Sequence, residues 1–305
     1  MEYVISLIKT IFSKSNIGFV VFVFVNIAPI CFLFAYKSIW YAIYALFSLF
    51  VVYTFVVMTI GEFVARLMLK ANTRVQLDER TPLSVMFSNA YRVAKRKNPI
   101  ISNNIRLYVF DGVAIDGYAF GRNTLCISSA ALNLPEQDLT TLLLMKFAQF
   151  SHHDSEILAI LTAGNLWYIA IAVISKWYIY FFGLIAWLML SFTKHSFGGF
   201  VLGRVFRGLA EATEKIILML VKVILMLGVG SYKNNVLIND LFVCDCGYRN
   251  ELIRFLQDFE PEQVIQETLF GTINSMKPDK HIRLERVRNY TLRMASLDGF
   301  RIIRR

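Results

Sequence analysis

Several features that would assign a chemistry directly are scarce or missing in this sequence. Only four of its 305 residues are cysteines, too few and too unevenly spaced for a disulfide scaffold. Only four are histidines. No G-x-S-x-G elbow surrounds Ser128 or Ser129, and no phosphate-binding loop follows the glycines near Gly198. The sequence therefore carries no signature of a serine hydrolase or a P-loop nucleotide-binding protein.

Apolar residues and positive charge are abundant instead. Hydrophobic residues make up 56% of the chain, and the mean hydropathy is +0.51, which favours a membrane protein. The 32 Lys and Arg against 22 Asp and Glu give a net charge of +10. In a membrane protein such an excess lies on the cytoplasmic face, beside anionic lipid. No groove-reading motif accompanies the charge, so nucleic-acid binding is not expected.

The N-terminal part predicts a membrane hairpin. Residues 1–14 carry apolar side chains at helical spacing, typical of an interfacial helix. The uncharged run Ile17–Tyr36 and the run Ile39–Ile60 are each long enough to cross a bilayer. The first run lacks a small-residue cleavage site, which favours an anchor over a removed signal peptide. Basic residues flank the hairpin, so both of its ends are expected on the cytoplasmic side.

Residues 62–155 form the first soluble stretch. Leu83–Lys97 predicts a helix, and Arg106–Phe110 and Thr124–Ser129 predict strands. Leu134–Asp138 opens a second helix, because a proline suits its first turn and acidic side chains suit its positive end. This helix is expected to continue to Asp154.

The remaining chain divides into membrane segments and a polar end. Ile157–Ile174 and Ile216–Val229 are expected to be spans, with Trp177–Phe192 as a helix extension or an interfacial segment. The basic loop Lys194–Lys215 resembles a cytoplasmic loop, which favours Trp177–Phe192 as a further span. Whether Trp177–Phe192 crosses the bilayer therefore stays open. The predicted organisation is an interfacial helix and hairpin at 1–61, a soluble stretch at 62–155, membrane segments at 156–230, and a second soluble stretch with a basic tail at 231–305.

Four pieces of the sequence resemble, in order, the HtpX-type membrane zinc metallopeptidases, relatives of the CAAX-processing proteases. Ile115–Gly121 is similar to the family's P-N-A-F-A-x-G after a strand, and the segment from Cys126 to Leu139 is similar to its strand and L-x-x-L entry into the metal helix. Cys246–Leu256 resembles L-G-Y followed by E-x-L-I-x-A-L, and Ser275–Arg286 resembles S-x-H-P-x-x-x-x-R-I-x-R-L. The resemblance implies an α-rich integral membrane protein with an N-terminal transmembrane hairpin, further membrane helices and a small α+β metallopeptidase-like cytoplasmic domain.

The same resemblance implies that the catalytic residues have been lost. In the family, H-E-x-x-H supplies two zinc ligands and the general base, and a glutamate of E-x-x-x-D supplies the third ligand. By position, the first histidine becomes Lys146, the base Phe147, the second histidine Phe150 and the distal glutamate Val236, while the aspartate survives as Asp240. These side chains offer neither a ligand set nor a base, so no metal or other cofactor is expected. Lys146 is expected to pair with Asp240 or another nearby acid, because a buried ammonium needs a partner.

The sequence thus predicts a catalytically inactive metallopeptidase homologue, a pseudoprotease. Its expected partners are the lipid bilayer and a protein partner or a second copy of the chain. Its expected location is a bacterial inner membrane, with the soluble domain in the cytoplasm. An alternative is a hydrolase with a displaced metal site that uses His152, His153 or Asp240, in which His152 and Glu156, four residues apart on one helix, share a metal.

Overall fold

The protein is rich in helix and contains one small sheet. The computed structural model describes residues 2–35, 38–71, 73–75, 81–164, 166–192, 204–216, 219, 223, 226, 232–259 and 277–290. The helices are α1 Glu2–Ile11, α2 Ile17–Ala35, α3 Ile39–Met68, α4 Pro82–Lys97, α5 Glu136–Ser151, α6 Asp154–Gly164, α7 Leu166–Phe192, α8 Tyr232–Asp245, α9 Arg249–Asp258 and α10 Lys280–Arg288. The strands are β1 Thr73–Arg74, β2 Arg106–Phe110, β3 Gly117–Phe120 and β4 Thr124–Ser128. The basic tail at 301–305 and residues 194–203 of the loop at 194–215 lie outside the described residues.

Helices α2 and α3 pack together as a hairpin. Helix α3 has 30 residues, and its most apolar window has a mean hydropathy of 2.3 with 6% of its residues buried. Its Ser38 cap accepts a hydrogen bond from the Trp40 amide. Within the described part of the chain, α3 is the one helix that is long and apolar enough to cross a membrane, and Ile17–Ala28 is a shorter apolar segment. Within this hairpin, the structure therefore supplies one candidate span where the sequence predicts two.

The sheet has the strand order β1-β2-β4-β3. Strand β2 pairs in parallel with β4, with Tyr108 opposite Cys126, and β3 pairs antiparallel to β4. The strands predicted at Arg106–Phe110 and Thr124–Ser129 are confirmed, the second ending one residue earlier. Strands β1 and β3 were not predicted from the sequence. All four residues of β3 are buried, so this strand lacks the alternation of polar and apolar residues that usually reveals a strand.

The polar end of α3 anchors the turn between β3 and β4. The Glu62 carboxylate accepts hydrogen bonds from the amides of Arg122 and Asn123, at 2.6 and 3.2 Å, and from the Thr124 hydroxyl at 2.9 Å. Gly121 begins this turn with a φ of +55°, and a Cβ there would overlap the Glu62 side chain. The turn therefore requires glycine both for its backbone conformation and for space.

The two predicted soluble stretches pack into one unit. Helix α5 contacts α4, β3, α8 and α9, and apolar side chains from all five elements form the core. On the surface of this core, Arg254 of α9 bonds the Asp138 carboxylate of α5 at 2.7 Å. The compact unit comprises Met1–Ala163 and Gly228–Arg305. Residues before and after the apolar region thus build a single core.

Residues Gly164–Leu227 form a second compact unit. Helix α7 runs unbroken through Ser175 and Lys176, where the sequence analysis placed the end of a span. Trp177–Phe192 therefore extends the helix that precedes it, which is one of the two alternatives expected for this segment. A single lysine does not interrupt helical hydrogen bonding, and this lysine has a partner. Its Nζ lies 2.5 Å from Glu214 Oε2, on the helical residues 204–216.

Candidate functional site

The position expected for the lost metal site lies on α5, which is buried along most of its length. Lys146 is only 4% exposed, although it carries a charge. Its Nζ lies 3.9 Å from Asp116 Oδ1, in the loop before β3, and Lys277 Nζ lies 3.6 Å from the same oxygen. Burial would raise the pKa of Asp116, but the ammonium groups of Lys277 and Lys146 outweigh it and hold the pKa at about 2. Asp116 is therefore ionised and compensates the buried ammonium.

Of the two partners expected for Lys146, Asp240 or another nearby acid, the structure shows the second, because the acid is Asp116. Asp240 of α8 instead forms a two-point ion pair with Arg283 of α10, through Nε at 2.8 Å and Nη2 at 2.7 Å. The two side chains are 2% and 1% exposed. The physical reason is geometric, since a planar guanidinium satisfies both oxygens of a carboxylate and an ammonium satisfies one. Asp240 is thereby committed to a structural contact, and Arg283 lies in the last of the four resembling pieces.

The aromatic residues at the expected site belong to the core. Phe147 is fully buried, with its ring centroid 5.4 Å from that of Phe87, 5.9 Å from Tyr91 and 6.4 Å from Phe150. Val236, on α8, is also buried. Helices α5 and α8 pack against each other. Phe147 packs α5 against α4, and none of these side chains offers a lone pair to a metal.

The helix predicted to continue to Asp154 ends three residues earlier. Helix α5 ends at Ser151, His153 has a left-handed backbone with a φ of +62°, and α6 begins at Asp154. This break changes the direction of every later side chain. His152 and Glu156 therefore do not share a helical face, contrary to the sequence-based expectation.

A buried polar cluster surrounds Glu156 instead. Its carboxylate accepts hydrogen bonds from the hydroxyls of Tyr3 and Ser155, each at 2.8 Å, and lies 3.2 Å from His153 Nδ1. The other ring nitrogen of His153 lies 3.0 Å from the Ser6 hydroxyl. Burial, followed by the Glu156 charge, raises the pKa of Tyr3 well above its usual range. These contacts attach α1 to the start of α6.

A second polar cluster centres on Asp154. Its two oxygens accept hydrogen bonds from Asn235 and Asn239 of α8, both at 2.7 Å. Asn239 Oδ1 is 2.7 Å from His152 Nδ1. Because this amide nitrogen already donates to Asp154, its oxygen must accept, which places the imidazole proton on Nδ1. Asp154 lies at the end of this chain of bonds and is 2% exposed.

The ionisation of Asp154 and His152 follows from burial. Burial raises the pKa of Asp154 to about 7 because the hydrogen bonds from Asn239 and Asn235 compensate only part of the desolvation. Burial also lowers the pKa of His152, so its imidazole is neutral near pH 7 and Nε2 carries a lone pair. Among the described residues, no hydrogen-bond donor contacts that nitrogen.

Asp154 and His152 line an open cavity of about 410 Å³. Its wall comes from α1 and the turn after it, from the loop that follows α4, from the junction of α5 and α6, and from α8. The lining residues are Ser6, Lys9, Thr10, Ser13, Asn16, Asn98, Ile100, Ser151, His152, Asp154, Asn235 and Ile238. The sequence did not point to the asparagines or to the residues of α1. Asn235 and Asn239 are four residues apart and therefore lie on one face of α8, which was the available signal.

The alternative metal site is not assembled. His152 bonds Asn239, His153 contacts Glu156 and Ser6, and Asp240 pairs with Arg283. In the part of the chain that the structure describes, no three His, Cys, Asp or Glu side chains are grouped so that they could hold a metal ion. His152, His153 and Asp240, which the displaced metal site would use, therefore take part in three separate contacts.

The resemblance to HtpX-type metallopeptidases is carried by the four quoted pieces of sequence. Two of them meet in space, because Asp116 precedes β3 and contacts Lys277, which lies in the last piece. No family model, curated protein or solved structure matches the chain.

Proposed function

We propose that this chain is a membrane-anchored, non-catalytic relative of zinc metallopeptidases that acts by binding a protein partner or as a subunit of a membrane assembly. The main support for the proposal is that other side chains fill the expected metal site. Lys146 neutralises Asp116, Phe147 and Phe150 fill the core, and Arg283 engages Asp240. A zinc ion placed there would meet an ammonium and aromatic carbon instead of lone pairs.

Energetics also favour a structural role for these residues. Buried ion pairs that are fully hydrogen-bonded stabilise a fold only in their complete form, and the loss of one member costs about 3–5 kcal/mol. To use Asp240 as a metal ligand, the chain would have to leave the Arg283 guanidinium buried without its carboxylate. The site is therefore suited to holding helices α5, α8 and α10 in place, leaving surfaces of the domain for recognition.

The membrane part of the proposal is supported by α3 and its neighbours. Helix α3 exposes large apolar side chains along its length, among them Trp40, Phe47 and Val52. Helix α1 and the turn after it expose Val4, Ile5, Ile8 and Phe12, and Lys9 and Lys14 lie in the same segment. A bilayer would cover both surfaces, with the basic residues at its cytoplasmic face. We place the domain in the cytoplasm at a bacterial inner membrane.

Metal analysis of the full chain purified from membranes tests the catalytic part. We expect no stoichiometric zinc and no cleavage of unfolded protein substrates. One tightly bound zinc per chain, lost in Asp240→Ala, would overturn the proposal. Zinc lost in His152→Ala or His153→Ala but kept in His281→Ala would instead establish the displaced-site hydrolase, since His281 is an exposed histidine on α10.

Co-purification and topology tests address the remaining parts. Crosslinking in native membranes should capture the chain with a second copy or a distinct protein, and recovery of the uncrosslinked chain alone would refute the binding role. Single cysteines at exposed positions in residues 62–155 and in 277–290 should react from the same, cytoplasmic side. Reaction of the two segments from opposite sides would contradict the proposed topology.

A further inference from the structure

The cavity beside α1 contains the carboxyl group of Asp154, whose charged form has no cationic partner among the described residues. Asp154 receives hydrogen bonds from two neutral amides. In the described ranges, no lysine or arginine lies within ion-pair distance of its carboxylate. The Asp240 and Asp116 carboxylates, by contrast, both have cationic partners. A buried carboxylate without a cation is costly, and a bound cation removes that cost.

Two further residues that line the cavity, Asn235 and His152, each carry an acceptor atom. Both amide hydrogens of Asn235 are used, one by Asp154 and one by Asn16 Oδ1 at 3.2 Å. Its own Oδ1 is left to accept. His152 Nε2 is also an acceptor, because the proton of its ring lies on Nδ1, toward Asn239. A carboxylate, an amide oxygen and an imidazole nitrogen together match the three N–H donors of a primary ammonium group.

The rim of the cavity carries a positive charge. Lys9 is exposed on α1, one turn from Ser6, so its ammonium can engage an anion at the cavity mouth. Lys9 would repel a simple cation. A ligand that also carries an anionic group would place its cation beside Asp154 and its anion beside Lys9. The volume of about 410 Å³ accommodates such a molecule.

We propose that this cavity binds a primary ammonium group carried next to a phosphate, as in a phosphoethanolamine head group, with Asp154 as counter-ion and Lys9 at the phosphate. Two sources share this chemistry, a membrane lipid and a free phosphoethanolamine ester. The lipid source rests on the membrane location proposed above, since α1 would lie at the bilayer surface. The site itself does not depend on that location.

The test uses the full chain in detergent and soluble probes. Calorimetry should detect glycerophosphoethanolamine. Glycerophosphocholine, whose quaternary nitrogen has no N–H to donate, should bind at least about tenfold more weakly. Asp154→Asn should lower the affinity for glycerophosphoethanolamine at least about tenfold, because it removes a buried charge partner. Asp111→Asn, at an exposed loop position, is the matched control and should leave the affinity unchanged.

A second variant separates the two ends of the ligand. Lys9→Ala should weaken glycerophosphoethanolamine by about twofold to fivefold, as expected for an exposed charge, and should leave ethanolamine binding unchanged or stronger. Equal affinity for the choline and ethanolamine probes, or no binding of either, would overturn the proposal without need of any variant. Retention of ethanolamine lipid over choline lipid through purification would assign the source to the bilayer. Because the probes are soluble, these results do not depend on whether the chain binds zinc or crosses a membrane.

Discussion

Replacing Asp240 by alanine tests the central ion pair of the domain. The Arg283 side chain is 1% exposed and donates two hydrogen bonds to the Asp240 carboxylate, at 2.7 and 2.8 Å. Removal of the carboxylate leaves the guanidinium buried without this partner. A buried pair broken in this way costs about 3–5 kcal/mol, which corresponds to a loss of roughly 10 °C in Tm for a domain of this size.

Thermal unfolding followed by circular dichroism in detergent measures this loss. Lys97→Ala is the matched control, because it breaks the Lys97–Asp245 pair, which spans 4.0 Å with side chains 47% and 34% exposed. An exposed pair contributes at most about 1 kcal/mol, so the control should lower Tm by no more than roughly 4 °C.

The double replacement of Asp240 by leucine and Arg283 by methionine sharpens the test. With both charges gone and the volume retained, most of the stability should return, because the cost lies in the unpaired charge and not in the lost attraction. The reasoning is refuted if Asp240→Ala unfolds within 2 °C of the unmodified protein, or if the double variant is no more stable than Asp240→Ala.

Further predictions concern the polar cluster and the turn. Burial raises the pKa of Asp154 from 3.8 to about 7, so between these values the folded state holds a proton that the unfolded state has released. Stability should therefore fall as pH rises through this window, by about 4 kcal/mol in all. Asp154→Asn should flatten this part of the unfolding profile, and an unchanged slope would refute the assignment. Gly121→Ala should cost at least about 2 kcal/mol, because alanine is strained at that φ and its Cβ overlaps Glu62. Gly208→Ala, where a Cβ meets nothing within 4 Å, should be neutral or stabilise by up to about 1 kcal/mol, and equal losses in the two variants would argue against the proposed crowding.

The local elements of the fold were predictable where sequence signals act over short distances. Helix α4 begins with a Thr81 cap and a proline in its first turn, and it ends at Asn98 before Pro99. These are signals that the chain carries within a few residues. The break after α5 has no such signal. His153 adopts a left-handed conformation that histidine tolerates at a cost, and its contacts with Ser6 and Glu156 support it.

The position of Lys146 could be predicted from the sequence, but the ion pairs that Lys146 and Asp240 form could not. The sequence placed Lys146 on a buried helix and required an acid beside it. It did not reveal that Asp116, from a loop 30 residues earlier, is that acid, because only the folded sheet brings the two together. In the same way, the pairing of Asp240 with Arg283 depends on the docking of α10. The cavity was not predictable at all, since its wall combines α1, α6 and α8.

The continuity of α3 has a consequence for how the chain can vary over evolutionary time. The helix runs without interruption from Ile39 to Met68, a length of about 45 Å against a hydrocarbon thickness of about 30 Å. Glu62 and the closely packed Gly61 lie on the same rod as the apolar part. One inserted or deleted residue within that part would turn Glu62 by about 100° and shift it by about 1.5 Å, away from the turn that it anchors. One apolar residue of this helix can therefore replace another. The number of residues cannot change, because it determines the direction in which the Glu62 carboxylate points.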